Sequence, residues 1–196
     1  KKYMKHSLIP VYKPTLVGNE KRYVAECLDD TWISSKGKFV GLFEEQFASY
    51  LGLGFATSVS NGTVALHLAL HTLGISQGDE VIVPTLTYIA SVNTISYTGA
   101  KPVFVDAEPD TWNMDVSLIE KKITSRTKAI MAVHLYGAVC DMNILQALCE
   151  KHNLFLIEDA AEAFGSLYQG QYAGSFGDIS TFSFFGNKTI TTGEGG

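Results

Sequence analysis

The sequence predicts an α/β fold in which a mainly parallel, mixed sheet carries helices on both faces. From residue 55 onward, short apolar runs rich in β-branched residues alternate with helical patterns of about ten residues, which is typical of βα units. The predicted strands are apolar on both faces, as in a sheet that is covered on both sides. Of the 196 residues, 46% are hydrophobic and 18% are charged, so the chain can build a large core.

Two amphipathic helices are predicted before this alternating region, over residues 18–30 and 39–51. In both, apolar side chains recur three or four positions apart, which places them on one face of a helix. These side chains are Tyr23, Val24, Cys27 and Leu28 in the first helix and Phe39, Phe43, Phe47 and Tyr50 in the second. The polar, glycine-bearing stretch 31–38 between the helices predicts a loop.

The alternating region contains six predicted strands and four predicted helices. The strands are expected at 55–59, 80–84, 102–106, 128–133, 154–158 and 179–184. The helices are expected at 63–73, 88–97, 115–123 and 141–152. Gly74 and Gly99 stand where glycine commonly ends a helix.

Charge, hydropathy and cysteine content exclude several classes of protein. A net charge of −5 without clustered Lys and Arg argues against a nucleic acid partner. We also expect no membrane span, since no apolar run approaches about 20 residues, and no apolar signal-peptide core opens the chain. Its three cysteines have no C-x-x-C spacing, which predicts reduced thiols in a cytoplasmic protein. The glycine-rich stretch 191–196 suggests the first part of a longer protein.

Two features follow predicted strands, at the edge where parallel sheets bind ligands. The sequence SNGT (60–63) precedes a helix, so free N–H groups and the Thr63 hydroxyl could hold a phosphate. The alternative is an ordinary helix cap without a ligand. Asp159 follows the strand 154–158, and a carboxylate at that position calls for a cation unless it caps a helix at 160–164.

A lysine and a tyrosine are expected at the same edge. Lys188 follows the strand 179–184 and could serve as an amine nucleophile in a poorly solvated pocket, although most lone lysines are surface charges. Tyr88 could stack on a flat ring or pack in the core. Together, a phosphate cradle, a buried acid, an aromatic side chain and an amine suit pyridoxal 5′-phosphate (PLP), a phosphorylated aromatic aldehyde with a basic ring nitrogen.

Other polar residues give weaker hypotheses. His67 and His71 lie four residues apart on a predicted helix, but no third metal ligand is evident and we expect no metal. His134 could support the site or be a hydrogen-bonded core histidine. Lys36 and Lys38 could meet a nucleotide phosphate or be solvated loop charges.

The sequence resembles the DegT/DnrJ/EryC1/StrS family of sugar aminotransferases, which have the type I aminotransferase fold. The matching segments are SNGTVALHLAL (60–70), GDEVIVPTLTYIASVNTI (78–95), GAKPVFVD (99–106), TKAIMAVHLYG (127–137), IEDAAEAFGS (157–166), GDISTFSFFGNK (177–188) and TTGEGG (191–196). The resemblance covers nearly the whole chain and about the N-terminal half of a family member. It implies an N-terminal helix and active-site loop at 1–38, a large PLP-binding domain at 39–196, and a C-terminal small domain that is absent here.

The resemblance also implies catalytic roles. Lys188 would bond covalently to the cofactor and then carry the proton between cofactor and substrate carbon, and Asp159 would keep the pyridine nitrogen protonated. Relatives that dehydrate their sugar have His in place of this lysine, so Lys188 favours amino transfer. Glu162 would lie near the cofactor's phenolic oxygen, where many relatives have Gln.

Further contacts are implied around these residues. Asn61, Gly62, Thr63 and Ser183 would hold the phosphate, with Asn61 in place of the usual Ser, and Tyr88 would stack on the ring. In the family the loop at 31–38 approaches the active site. The implied substrate contacts there are Trp32, Ser34 and Ser35.

The activity implied is transfer of an amino group from L-glutamate to the keto group of a nucleotide-linked 4-keto-6-deoxyhexose. The cofactor would alternate between PLP and pyridoxamine 5′-phosphate (PMP), and two copies of the protein would share active sites as a homodimer. Two alternatives stay open, namely a 3- or 4-aminotransferase for another nucleotide sugar and a nucleotide-binding α/β module without covalent chemistry. A third is that this piece is inactive alone.

Overall fold

A computed structural model of the chain describes residues 9–196, so the first eight residues of the predicted unit 1–38 lie outside the described residues. Within this range, the α-helices are α1 (Glu20–Asp29), α2 (Lys38–Leu51), α3 (Gly62–Thr72), α4 (Ile89–Tyr97) and α5 (Met142–His152). The strands are β1 (Glu80–Pro84), β2 (Lys101–Val105), β3 (Thr127–Val133), β4 (Phe155–Asp159), β5 (Leu167–Tyr168), β6 (Gln171–Tyr172) and β7 (Ile179–Thr181).

The main sheet has the strand order β2–β1–β3–β4–β7, and each neighbouring pair is parallel. This confirms the predicted α/β fold with a parallel sheet. In register, Val133 at the end of β3 pairs with Asp159 at the end of β4, which pairs with Thr181 at the end of β7. The carboxyl ends of these strands therefore meet at one edge of the sheet.

Both faces of the sheet are covered, as predicted. Side chains alternate along each strand, so β4 sends Leu156 to one face and Ile157 to the other. Ile157 packs in the cluster that contains Leu70 of α3 and Ile95 of α4, whereas Leu156 packs with Leu145 of α5. Complete burial of an aliphatic side chain of this size stabilises the fold by roughly 1.5–3 kcal/mol.

The apolar face predicted for α2 is confirmed. Its rings form a third cluster with aromatic residues that follow β4 and β7. Phe47 lies 4.9 Å from Phe182 and 5.6 Å from Phe184, both edge to face, measured between ring centroids. Tyr50 stacks on Phe164 at 5.2 Å. Stacking of this kind attaches α2 to the sheet.

The position of α1 agrees with the prediction, but its apolar face is not covered by the described residues. No residue of α1 is buried, and Val24 and Leu28 are each about 60% exposed. Tyr23 packs against Phe39 of α2 at 5.0 Å between ring centroids. The spacing of apolar residues located the helix correctly, but whether its apolar face is buried depends on a second surface that packs against it.

The strand predicted at 55–59 is wrong. Only Val59 pairs there with another part of the chain, exchanging two backbone hydrogen bonds with Gly196. The preceding residue, Ser58, is instead held by Glu44, which accepts from its N–H at 2.7 Å and its hydroxyl at 2.8 Å. An apolar run forms a strand only where its backbone N–H and C=O groups pair with those of a neighbouring strand.

The helix predicted at 115–123 is replaced by two short 3₁₀ turns, Val116–Leu118 and Glu120–Lys122. Asp115 accepts from the N–H and the hydroxyl of Ser117 at 2.9 and 2.6 Å. Such local side-chain bonds compete with the α-helical pattern.

The remaining differences concern strand ends. The strand predicted at 179–184 stops at Thr181 because its partner β4 ends at Asp159. The β5–β6 hairpin was not predicted; it turns at Gln169 and Gly170, both with positive φ, and glutamine is an uncommon residue at the first of these positions. Gly74 and Gly99 have positive φ just after α3 and α4, as predicted.

Within residues 9–196, no helix combines the length and apolar character needed to cross a bilayer.

Candidate active site

A cavity of about 610 Å³ opens at the carboxyl edge of the sheet. It is formed by residues that follow β1, β3, β4 and β7 and by the start of α3, which lie far apart in sequence. All eight residues that the sequence analysis assigned to the cofactor line this cavity: Asn61, Gly62, Thr63, Tyr88, Asp159, Glu162, Ser183 and Lys188.

The start of α3 forms an open anion site at one end of the cavity. Asn61 caps the helix, with Oδ1 accepting from Val64 N–H at 2.9 Å and its carbonyl accepting from Ala65 N–H at 3.1 Å. Among the described residues, nothing accepts from the N–H groups of Gly62 and Thr63. These free donors at the positive end of a helix suit a phosphate.

Gly62 allows Ser183 to approach this helix end. A Cβ at position 62 would lie 2.9 Å from the Ser183 Cβ, closer than two carbon atoms can pack. The absence of a side chain at Gly62 therefore brings the Ser183 hydroxyl beside the free N–H groups, where it adds another donor for an anion.

Asp159 provides a buried carboxylate elsewhere in the cavity wall. It is only 6% exposed, and its Oδ2 accepts from the Ser91 hydroxyl at 2.7 Å while Oδ1 accepts from Ala161 N–H at 3.2 Å. Burial raises the pKa of Asp159, against the opposing effects of these hydrogen bonds and of Lys188. The alternative of a cap on a helix at 160–164 is wrong, because these residues form turns.

The adjacent Glu158 points to the opposite face of the sheet. It is completely buried and accepts from His134 Nε2 at 3.0 Å and from the N–H groups of Gly174, Phe176 and Gly177 at 2.7 Å each. Burial by itself raises the pKa of Glu158, but these donors outweigh it and lower the pKa. Glu158 therefore adds no negative charge to the cavity, although it is the neighbour of Asp159 in the sequence.

His134 is a hydrogen-bonded core histidine, as one of the two hypotheses held. Its Nδ1 accepts from Cys140 N–H at 3.3 Å, so the proton lies on Nε2, which donates to Glu158. These two hydrogen bonds fix the orientation of the ring, which contributes part of the cavity wall.

The amine of Lys188 lies inside the cavity with 18% of its side chain exposed, so the surface-charge alternative is wrong. Its Nζ is 3.3 Å from Glu162 Oε1, and the second oxygen of Glu162 accepts from Tyr136 N–H at 2.9 Å. Tyr136 has a positive φ of 51°, a conformation that costs energy for a residue other than glycine. Glu162 therefore ties the lysine to a fixed backbone position.

The ring of Tyr88 is 75% exposed and borders the cavity, so the core-packing alternative is wrong. Tyr88 is the residue immediately before α4, where the chain turns from the end of β1 into the helix. An open aromatic face at this place is available for a planar ligand.

Other candidates from the sequence lie elsewhere. Trp32, Ser34 and Ser35 are exposed and do not line the cavity. Lys38 is exposed at the first position of α2 and is paired with Glu26. Within residues 9–196 no group of three or more His, Cys, Asp or Glu could hold a metal ion, and His67 packs against Tyr97 at 5.8 Å between ring centroids.

Sequence reasoning missed several lining or supporting residues. Thr87, Asn187 and Glu194 line the cavity, and Ser91 contacts Asp159 from behind. Thr87 and Asn187 each lie one residue from a predicted site residue, which was an available signal. For Ser91 no local signal existed, since the contact joins residues 68 positions apart.

Comparison with known proteins shows close similarity to aminotransferases of sugar biosynthesis. The chain is 69% identical over 188 residues to GDP-perosamine synthase of Escherichia coli O157:H7, covering 96% of this chain and 52% of that protein. It is 58% identical to GDP-perosamine synthase of Vibrio cholerae, again covering 96% of this chain and 52% of that protein. The chain thus spans about half the length of the curated relatives it matches.

The solved structures agree with the sequence comparison. The PLP form of Spr1654 from Streptococcus pneumoniae, provisionally named a sugar aminotransferase, superposes with a TM-score of 0.91 at 37% identity. The match covers 95% of this chain and 51% of that chain, and the same protein has been solved in a PMP form. The described residues therefore have the type I aminotransferase fold. The family sequence pattern matches residues 14–196, and the chain belongs to the DegT/DnrJ/EryC1/StrS aminotransferase family.

Proposed function

We propose that the complete protein containing this chain is a PLP-dependent aminotransferase of the cytoplasm. It would transfer an amino group from L-glutamate to the C4 ketone of GDP-4-keto-6-deoxymannose, giving GDP-perosamine. The observation that carries this proposal is that the Lys188 amine, the Asp159 carboxylate and the open start of α3 face one cavity. The nucleotide sugar is proposed from the 58–69% identity to GDP-perosamine synthases.

The residues of the cavity fit PLP. Asp159 is a buried carboxylate whose pKa is raised by burial, so a positively charged ring nitrogen is the partner that would stabilise its ionised form. At the start of α3, the N–H groups of Gly62 and Thr63 and the Ser183 hydroxyl offer donors to a phosphate. Tyr88 offers an open ring face.

Each of these side chains then has a defined task. When bound, PLP supplies an electron-withdrawing ring that stabilises negative charge on the carbon undergoing amino transfer. Asp159 holds the proton on the ring nitrogen through its negative charge. Lys188 Nζ, in its neutral form, takes a proton from the substrate carbon and returns one, which is general acid–base catalysis. Glu162 keeps this amine in place through the 3.3 Å contact.

Replacing Gly62 with alanine is expected to weaken PLP binding by about tenfold or more, because the new Cβ overlaps Ser183 and overpacking typically costs about 1–3 kcal/mol. The dissociation constant of PLP, measured by fluorescence titration of the complete protein, tests this. Gly41→Ala in α2 is the matched control, since a Cβ there meets nothing within 4 Å. Equal PLP affinity in the two variants would contradict the proposed phosphate site.

The substrate assignment is tested by assaying the complete protein with L-glutamate and a panel of nucleotide-linked 4-keto and 3-keto sugars. We expect 2-oxoglutarate to form fastest with GDP-4-keto-6-deoxymannose, and an amino sugar to appear in equal amount. Faster turnover of another sugar would reassign the substrate. A protein that binds a nucleotide sugar but produces no 2-oxoglutarate with any of them would be a binding module, and the proposal would be rejected.

We also propose that the protein works as a homodimer with shared active sites. Residues 39–196 would form the large PLP-binding domain, and residues 1–38 would form an N-terminal segment whose Trp32, Ser34 and Ser35 contact the sugar. The exposed apolar side chains of α1 and of the loop after it, including Val24, Leu28 and Ile33, support a role for this segment in contacts beyond the described chain.

A further inference from the structure

A buried serine that has no role in the proposed mechanism lies against Asp159. Ser91, the third residue of α4, has no exposed surface, and its hydroxyl donates to Asp159 Oδ2 over 2.7 Å. The other carboxylate oxygen accepts from Ala161 N–H at 3.2 Å. With one donor on each oxygen, the carboxylate is held in a single orientation.

A second hydroxyl contacts Ser91. Thr87 Oγ1 lies 2.9 Å from Ser91 Oγ and borders the cavity. A serine hydroxyl has one proton, and Ser91 donates it in the hydrogen bond to Asp159, so toward Thr87 it can only accept. The Thr87 hydroxyl also lies 3.3 Å from the Tyr88 carbonyl, and its contact with Ser91 is the shorter of the two. Two hydroxyl groups thus form a chain that ends on a carboxylate, in which each donor polarises the next.

The first turn of α4 therefore contributes to the cavity and to its support. Tyr88 precedes the helix and presents its ring to the cavity, whereas Ser91 reaches Asp159 from the same turn.

The surroundings of Asp159 show how much the Ser91 contact matters. His134 lies at the end of β3, and Lys188 and Glu162 line the same cavity. Burial raises the pKa of Asp159, and the hydrogen bond from Ser91 is the largest of the effects that lower it. Without this hydrogen bond, less would counteract the effect of burial, so the pKa of Asp159 would rise further and the neutral acid would be favoured.

We propose that Ser91 is a positioning residue that keeps the Asp159 carboxylate ionised and directed into the cavity, with the Thr87 hydroxyl donating to Ser91. The contribution of Ser91 to catalysis rests on the proposed amino-transfer function. The contact itself can be tested without substrate or cofactor.

The test is a pH titration of the Asp159 carboxyl carbon by ¹³C NMR in the complete, cofactor-free protein, with the signal assigned by its absence in Asp159→Asn. In Ser91→Ala, we expect the midpoint to rise by about one pH unit, because a hydrogen bond to a charged group is lost. Ser91→Thr, which keeps the hydroxyl, is expected to stay close to the wild type. Ser96→Ala removes an exposed hydroxyl from the same helix and should leave the midpoint unchanged.

A second variant and a second measurement complete the test. Thr87→Val leaves Ser91 in place and is expected to raise the midpoint by a smaller amount. Below the shifted midpoint, the dissociation constant of PLP is expected to be higher in Ser91→Ala than in the wild type, because a smaller fraction of Asp159 is charged there, and to stay unchanged in Ser96→Ala.

An unchanged Asp159 midpoint in Ser91→Ala would overturn the proposal, and an unchanged midpoint in Thr87→Val alone would remove the role of Thr87. If the midpoint shifts while the wild-type protein forms no amino sugar, the role of Ser91 stands and the proposed function fails. The two proposals are therefore tested separately.

Discussion

Replacing Lys188 with alanine is expected to abolish amino transfer, lowering the rate by roughly 10⁴-fold or more. Of the described residues that line the cavity, Lys188 supplies the only amine, and no neighbouring side chain can replace it as both nucleophile and proton carrier. The variant is expected to fold normally, because the Lys188 side chain contacts Glu162 rather than the core.

The attachment of the cofactor provides a measurement that does not depend on turnover. Borohydride treatment of the PLP-loaded complete protein should fix the cofactor to the peptide that contains Lys188, as seen by mass spectrometry. Lys121→Ala, in the exposed 3₁₀ turn Glu120–Lys122, is the matched control and should retain both labelling and activity. Undiminished labelling in Lys188→Ala would show that another amine carries the cofactor.

Replacing Asp159 with asparagine is expected to leave PLP bound but to lower turnover by roughly 10²–10⁴-fold. The amide has nearly the same shape as the carboxylate; its oxygen can accept from Ala161 N–H while its NH₂ group donates to the Ser91 hydroxyl. It has no negative charge, however, so it cannot hold a proton on the ring nitrogen.

Turnover at full PLP occupancy, with occupancy measured by absorbance, separates this effect from cofactor loss. Asp110→Asn serves as the control, because it makes the same chemical change in an exposed turn. Turnover in Asp159→Asn equal to that of the control would remove Asp159 from the proposed mechanism.

The sequence was sufficient to predict the parallel sheet and eight of the residues that line the cavity. The alternation of short apolar runs with helical patterns located β1 to β4, and in a parallel sheet the residues after such strands meet at one edge. The eight predicted cofactor residues lie together for this reason. Their individual roles toward PLP stay predictions.

What the sequence could not provide were contacts between distant segments. Ser91 lies on a helix whose pattern predicts only a buried face, and its partner Asp159 is 68 residues away. Likewise, the apolar run 55–59 has the composition of a strand, yet it pairs only at Val59. Both outcomes depend on which neighbours the folded chain brings near, and periodicity carries no information about them.

The alternation of side chains along β4 gives this strand no tolerance for a shift in register. Glu158 accepts four hydrogen bonds on one face of the sheet, and Asp159 faces the cavity on the other. Inserting a single residue early in β4 would bring Glu158 to the position of Asp159, and deleting one would bring Asp159 to the position of Glu158. In either case the cavity would lose the Asp159 carboxylate from its place and the loop at 174–177 would lose the Glu158 carboxylate that anchors it, so the same slip would harm the proposed catalysis and folding together. Length changes should therefore be excluded from this strand far more strictly than conservative substitutions.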